Sequence, residues 1–142
     1  MSEANKTLLR RVYGEIWNQG KLDIIDALIA VDYEGHYLNP DLPAGREGFR
    51  QYVKMIRAGF PDAHFTIEDM LAAGDKVVTR YTVRGTHQGA LMGIPPTGRA
   101  IEATGIGISR IANGQLVESW AEYDQLKILT QVGVVSPLGE GV

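Results

Sequence analysis

The order of sequence patterns predicts an α+β fold, with helices first and an antiparallel sheet after them. Up to about Arg57, apolar residues recur every three or four positions, which is the spacing of amphipathic helices. After Pro61 they occur in short β-rich runs separated by Gly, Asn or Asp, which is typical of an antiparallel meander. Because one kind of element precedes the other, we expect the helices to pack against one side of the sheet.

Three helices are predicted in the first part of the chain. The first covers residues 6–17, where the apolar positions form one face, and Gly20 follows its end. The second is shorter, with apolar residues between 22 and 29. The third covers residues 46–57 and is ended by Gly59 and Pro61.

Four strands are predicted in the second part, at residues 63–72, 76–86, 99–111 and 115–123. Gly74 with Asp75, and Asn113 with Gly114, are turn pairs that join strands into hairpins. The segment 88–98 is too long and too rich in proline for a tight hairpin, so we expect it at the rim of the fold. The apolar residues 126–132 predict a short closing helix.

Composition excludes several classes of function. A chain of 142 residues predicts one domain spanning 1–142, and the lack of cysteine removes disulfides and thiolate ligands. Its three histidines lack metal-site spacing and no glycine-rich phosphate loop is found, so we expect neither metal nor cofactor. A net charge of −3 with scattered Lys and Arg argues against nucleic acid as a partner. No apolar run approaches the roughly 18 residues of a membrane helix, so we expect a cytoplasmic protein without a membrane partner.

Residues 118–124 carry the most informative polar pattern. In a strand, alternate side chains lie on opposite faces. One face then carries Glu118, Trp120, Glu122 and Asp124, and the other carries Ser119, Ala121 and Tyr123. If the first face is exposed, it is an ordinary solvated surface. If it lines a cavity, lost hydration raises the pKa of a carboxylate and makes it a usable acid or base, with Trp120 as a wall for a flat ligand.

The polar and aromatic segment 33–40 has no periodicity and is predicted to be a loop. Its His36 could donate a proton or bind a carbonyl, and its Asn39 could orient a substrate oxygen. His87, just after the second strand, is a further candidate for ligand binding. A loop histidine is more often a surface or capping residue, and both readings stay open here.

Short motifs that point to one protein family are spread along nearly the whole chain. They are residues 32–33 (DY), 44–49 (AGREGF), 85–89 (GTHQG), 93–99 (GIPPTGR), 110–111 (RI), 113–114 (NG), 118–120 (ESW), Asp124, Leu126 and Gly133. Together they resemble the SnoaL-like polyketide cyclases of the nuclear transport factor 2-like superfamily. The resemblance implies a cone-shaped barrel, in which a curved antiparallel sheet wraps around three N-terminal helices and encloses a pocket.

The resemblance also implies roles for particular residues. In cyclases of this branch, an aspartate near the end of the last strand is the acid/base of an aldol ring closure, and Asp124 matches it. Trp17 and Tyr52 match helix residues that line the pocket. The chain departs from the cyclases at Gly107, where they carry a histidine, so a partner for the acid is missing or replaced. The Arg-x-Asp pair of the epoxide hydrolases that share this fold is incomplete after Arg80.

These observations favour a cofactor-independent enzyme that acts on a polyketide or other aromatic carbonyl compound. Asp124 would remove a proton next to a carbonyl, His36 or Asn39 would hold the enolate oxygen, and Trp17, Tyr52 and Trp120 would exclude water. The alternatives are a hydroxylase-type member that acts on a polycyclic substrate, and a binding protein for a hydrophobic small molecule. We also expect a homodimer or homotetramer that packs through the sheet face of Ser119 and Ala121.

Overall fold

A computed structural model describes residues 2–136, which contain four α-helices and five strands. The first helix, α1 (Ser2–Arg11), continues directly as a π-helical segment (Val12–Trp17). A short 3-10 turn (Leu22–Ile24) leads into α2 (Ile25–Leu28). The other helices are α3 (Arg46–Gly59) and α4 (Gln125–Gln131). Among the described residues, no helix is both long enough and apolar enough to span a membrane.

The strands form one mixed sheet with the order β1-β5-β4-β3-β2. They are β1 (Ile29–Gly35), β2 (His64–Ala73), β3 (Lys76–Thr86), β4 (Ala100–Ala112) and β5 (Gln115–Tyr123). The last four confirm the predicted strands to within one residue at each end, and they pair in antiparallel fashion. Gly74, Asn113 and Gly114 all have positive φ angles, as the predicted turns require.

The first strand corrects the sequence prediction in two ways. The second predicted helix ends at Leu28, and Ile29 begins β1. The first part of the predicted loop 33–40 is also strand, because β1 pairs in parallel with β5, with a register irregularity between Ile29 and Glu34. The local sequence could not reveal this strand, since its partner is more than 80 residues away and its burial does not alternate.

The two faces of the sheet differ in polarity. The inner face packs against the helices and carries Val77, Thr79, Tyr81 and Val83 of β3 and the buried odd-numbered positions of β4. The outer face carries charged pairs: Arg84 and Glu102 lie 2.6 Å apart, and Arg110 and Glu118 lie 3.0 Å apart. This separation of apolar and charged side chains is usual for a sheet with one solvated face.

Polar contacts hold the π-helical segment against α3 and β2. The Arg57 guanidinium donates hydrogen bonds to the carbonyl oxygens of Trp17 (2.6 Å) and Pro61 (3.0 Å). The side-chain amide of Asn18 exchanges hydrogen bonds with the backbone of Phe65, at 3.0 and 2.7 Å. These contacts fix the end of the first helix where it meets the inner face of the sheet.

Candidate functional site

A cavity lies between the inner sheet face, the π-helical segment, α3, α4 and the rim segment 88–98. Eight aromatic rings line it: Tyr13, Trp17, Tyr37, Tyr52, Phe60, Phe65, Tyr81 and Tyr123. The remaining lining side chains are aliphatic or methionine, except for Gln125. No Asp, Glu, Lys, Arg or His lines the cavity within the described part of the chain. The site is therefore suited to a flat, largely apolar molecule with a few oxygen atoms.

The aromatic walls pack against one another and are held in place. The Trp17 ring contacts the rings of Tyr52 and Phe65 at centroid distances of 5.7 and 5.3 Å. The Tyr13 ring lies 5.7 Å from Tyr81 and 6.0 Å from Phe65. Such tilted and edge-on contacts are the preferred geometries of aromatic pairs. The cavity is thus largely formed before a ligand enters.

Burial raises the pKa values of four of the lining tyrosines, so their hydroxyls stay protonated well above neutral pH. It raises the pKa of Tyr81 to about 12, and it raises the pKa values of Tyr13 and Tyr52 further above their ordinary value. Burial also raises the pKa of Tyr37, whose hydroxyl lies 2.9 Å from that of Tyr33. Because a neutral hydroxyl donates one hydrogen bond, the cavity offers donors without net charge.

Two glycines of β4 make room for tyrosine hydroxyls on the inner face. A Cβ atom at Gly105 would lie only 2.5 Å from the Tyr81 Oη. A Cβ at Gly107 would lie 3.3 Å from the Tyr13 Oη. These positions bring the hydroxyls of Tyr13 and Tyr81 against the backbone of β4, and the space next to Gly107 is taken by Tyr13.

Exposed residues of the lining mark the mouth of the cavity. Met92, in the rim segment, is 61% exposed, and Tyr123, at the end of β5, is 38% exposed. Met92 and Gly93 have positive φ angles, which fold the rim segment into a tight turn. The predicted position of segment 88–98 at the rim agrees with this arrangement.

Trp17 and Tyr52 line the cavity, whereas Trp120 does not. The register of β4 and β5 pairs Trp120 with Ile108, an outward-facing position, so the indole lies on the outer face of the sheet. There its ring stacks on that of His36 at 5.0 Å, with an angle of 9° between the planes. The expectation that Trp120 forms a cavity wall is wrong, because the inner face of β5 carries Ser119, Ala121 and Tyr123 instead.

His36 belongs to the same outer surface, so it cannot reach a ligand in the cavity. Its Nε2 lies 2.7 Å from Glu118 and 3.8 Å from Glu34. The hydrogen bonds from His36 and Arg110 hold the pKa of Glu118 below its ordinary value. Glu34, His36 and Glu118 could bring three ligand atoms close together, but the Arg110 guanidinium already occupies Glu118. The cluster is an ion-pair network on the sheet surface.

Asn39 and His87 have structural contacts outside the cavity lining. The side-chain oxygen of exposed Asn39 accepts the backbone N–H of Asp41 at 2.9 Å, which stabilises a local turn. His87 is buried beside Phe60, and its Nδ1 lies 3.1 Å from the Thr97 hydroxyl. His87 therefore stabilises the rim segment through its contact with Thr97 and does not line the cavity.

Asp124 lies between two lining residues, Tyr123 and Gln125, at the mouth of the cavity. Its carboxylate is exposed, and Oδ1 accepts the backbone N–H of Lys127 at 3.0 Å, which caps the start of α4. The alternation of β5 ends here, because α4 begins at the next residue. Asp124 itself is not part of the cavity lining, so its carboxylate lies next to the cavity and not inside it.

Sequence reasoning missed the cavity roles of Tyr13, Tyr81 and Tyr123. Alternation along β5 divides its residues into two faces but does not say which face is inner. The polarity of the faces gives the signal: Glu118 and Glu122 favour the outer face, and the small residues opposite them favour the inner one. In β3 the same rule places Tyr81 on the inner face and Arg80 on the outer face.

Comparisons with known proteins agree with this architecture. The SnoaL-like polyketide cyclase family matches residues 7–132. The chain is 31% identical over 140 residues to the aklanonic acid methyl ester cyclase of Streptomyces peucetius, with 94% of each chain covered. It is 30% identical over 133 residues to the nogalonic acid methyl ester cyclase of Streptomyces nogalater, with 88% of this chain and 95% of that one covered. The structure of TsrD from Streptomyces laurentii superposes with a TM-score of 0.87 at 27% identity, over 95% of this chain and 98% of that one.

These matches confirm the predicted cone-shaped α+β fold and the predicted resemblance. They also support the prediction of a polyketide cyclase-like enzyme, because the curated relatives are themselves cyclases. Together with the aromatic cavity, the match over most of the chain shows that this protein belongs to the SnoaL-like polyketide cyclase family.

Proposed function

We propose that this protein closes a ring in an aromatic polyketide carbonyl compound, by acid/base chemistry and without a cofactor. The observation that carries the proposal is the preformed aromatic cavity, whose polar groups are neutral tyrosine hydroxyls and Gln125. A flat polyketide fits the stacked walls, and neutral donors suit its carbonyl oxygens. Curated relatives about 30% identical act on aklanonic and nogalonic acid methyl esters, which suggests a substrate of that class.

Asp124 is our proposal for the base. It lies at the mouth between Tyr123 and Gln125, and the Lys127 N–H holds one of its carboxylate oxygens. The carboxylate would take a proton from a carbon next to a carbonyl. The resulting enolate carbon then bonds to a second carbonyl carbon, and the new alkoxide takes up a proton. No group leaves, so the product is an isomer of the substrate.

A binding role without chemistry is the second candidate, and one observation favours it. Among residues 2–136 no carboxylate lines the cavity, and the Asp124 carboxylate has a structural function as the cap of α4. A protein that only sequesters a hydrophobic ligand needs no base. The hydroxylase-type alternative stays a prediction without a structural observation of its own.

Product analysis separates these functions. Purified protein, treated with a chelator, would be incubated with aklanonic acid methyl ester, and the product examined by mass spectrometry and ¹³C NMR. We expect an isomer of unchanged mass, with one ketone signal replaced by a carbinol signal. A product heavier by one oxygen atom would identify a hydroxylase. Tight binding without any product would favour the binding role.

We further propose a homodimer or homotetramer that forms through the outer face of the sheet and not through Ser119 and Ala121. Ser119 and Ala121 face inward, so they cannot form a contact between copies. The outer face instead exposes Ile106 (50%) and Ile108 (36%) beside Trp120. Burying this apolar strip against a second copy would be favourable. One domain over residues 1–142, a cytoplasmic location, and the absence of membrane and nucleic-acid partners remain proposals.

A further inference from the structure

The middle of the sheet has an inner position without a side chain. Gly107 of β4 pairs with Thr79 of β3 on one side and with Ala121 of β5 on the other. Above this strip of small residues lies the Tyr13 hydroxyl, 3.3 Å from where a Gly107 Cβ would be. Tyr13 and Ala121 both line the cavity, so its inner wall ends at this strip.

Thr79, on the inner face of β3, carries a buried side-chain hydroxyl. Its side chain is buried, with a relative exposure of 1%, and its Oγ1 has no hydrogen-bond partner within residues 2–136. Buried hydroxyls nearly always have a partner, because losing hydration without a replacement costs free energy. The Tyr13 hydroxyl lies near the Thr79 hydroxyl: burial raises the pKa of Tyr13, and Thr79 lowers it by a smaller amount, although the two hydroxyls are not aligned as a hydrogen bond.

Tyr13 lies in the π-helical segment, which is an unusual backbone conformation. The carbonyl oxygen of Tyr13 accepts the N–H of Asn18, five residues later, at 2.9 Å. Segments of π-helix are rare and are often found at functional sites. The contacts of Asn18 and Arg57 hold this segment in place, so the Tyr13 ring is presented to the sheet by a fixed backbone.

We propose that the Tyr13 hydroxyl donates a hydrogen bond to a carbonyl oxygen of the ligand, while Thr79 donates its own hydrogen to the Tyr13 oxygen. This inference rests on the proposed function and names the group that holds the reacting carbonyl. In the bound state, the Thr79 hydroxyl gains the partner that it lacks. The donor pair would also stabilise the negative oxygen of an enolate as it forms. Tyr13 is then a catalytic residue, and Thr79 is a positioning residue that acts through it.

The test compares two flat probes that differ in their carbonyl groups, 9,10-anthraquinone and anthracene. Their dissociation constants would be measured by quenching of Trp17 fluorescence in a Trp120→Phe background. We expect Tyr13→Phe to weaken anthraquinone binding about 5- to 10-fold, the usual effect of one hydrogen bond, and to change anthracene binding less than 2-fold. Thr79→Val should weaken anthraquinone binding by a smaller factor in the same direction.

Infrared spectroscopy supplies a readout that a purely structural role would not move. The carbonyl stretching frequency of bound anthraquinone should be lower than in hexane. Tyr13→Phe should raise this frequency towards the hexane value, and Thr79→Val should raise it by a smaller amount. Thr82→Val is the matched control, since Thr82 is also a buried threonine of β3 but lies on the opposite face of the strand from Thr79. It should leave the affinity and the stretch unchanged.

Three results would overturn the inference. They are equal affinities of the wild-type protein for both probes, equal weakening of both probes by Tyr13→Phe, and an unshifted carbonyl stretch. An unchanged stretch in Thr79→Val would remove the positioning role. None of these measurements needs turnover, so they can fail while the proposed cyclase activity holds, and they can succeed if that activity is absent.

Discussion

Adding one methyl group to β4 tests whether the tyrosine hydroxyls rest on its backbone. Gly105 lies beneath the Tyr81 ring: a Cβ would be 2.5 Å from Oη, 2.6 Å from Cζ and 2.9 Å from Cε1. The ring cannot easily move away, because the rings of Tyr13 and Phe65 lie 5.7 and 5.3 Å from it. Gly105→Ala therefore forces Tyr81 or the strand to shift.

The size of the effect follows from two opposing contributions. Overpacking a core by one methyl group costs about 1–3 kcal/mol. Replacing glycine by alanine in a strand stabilises the folded state by about 0.5–1 kcal/mol, because alanine restricts the unfolded chain. We expect Gly105→Ala to lower the free energy of unfolding by about 1–2 kcal/mol. Gly107→Ala meets Tyr13 at 3.3 Å, which needs a shift of only a few tenths of an ångström, so it should stay within about 0.5 kcal/mol of wild type.

Urea unfolding of both variants provides the measurement, with the slope m unchanged between them. Tyr81→Ala should relieve most of the strain in Gly105→Ala, which a double-mutant cycle detects as a coupling of about 1 kcal/mol. A Gly105→Ala variant as stable as wild type would contradict this packing at β4. So would a Gly107→Ala variant that is destabilised at least as strongly as Gly105→Ala.

The outer face gives two further predictions. Ile106→Glu should convert the proposed homodimer or homotetramer to monomer in sedimentation velocity at micromolar concentration, because it puts a charge in the apolar strip; an unchanged assembly would exclude this face. Hydrogen bonds from His36 and Arg110 lower the pKa of Glu118 in the folded protein. The ionised carboxylate therefore stabilises the fold fully at pH values above 4.5, its ordinary pKa, and this stabilisation is lost as the pH falls through the lower pKa of the folded state. The difference in unfolding free energy between wild type and Glu118→Gln should therefore shrink in acid, and a difference that grows there would contradict this reading.

Much of the fold could be predicted because local signals determine it. The turn pairs at Gly74 and at Asn113 and Gly114 mark the ends of β2 to β5, since positive φ angles are possible at few residue types. The strand β1 could not be predicted in this way. Its pairing with β5 is long-range and parallel, and residues 29–31 continue the apolar pattern of the preceding helix.

The candidate site was predictable only in part. Trp17 and Tyr52 lie on helix faces whose apolar spacing points to the core, and both line the cavity. Alternation alone cannot place Trp120 on the outer face, where it lies, because a period of two divides a strand into two faces without saying which one is inner. For Asp124 alternation gives no answer, because β5 ends at Tyr123 and Asp124 is the N-cap of α4.

The central claim is that ring closure in the aromatic cavity depends on proton transfer by Asp124. Its most direct test is turnover of aklanonic acid methyl ester by Asp124→Asn, since asparagine keeps an acceptor for the Lys127 N–H and still caps α4. We expect turnover to fall about 10²- to 10⁴-fold with an unchanged melting temperature, whereas Glu122→Gln, on the outer face, should retain wild-type turnover. Full turnover in Asp124→Asn would contradict the claim.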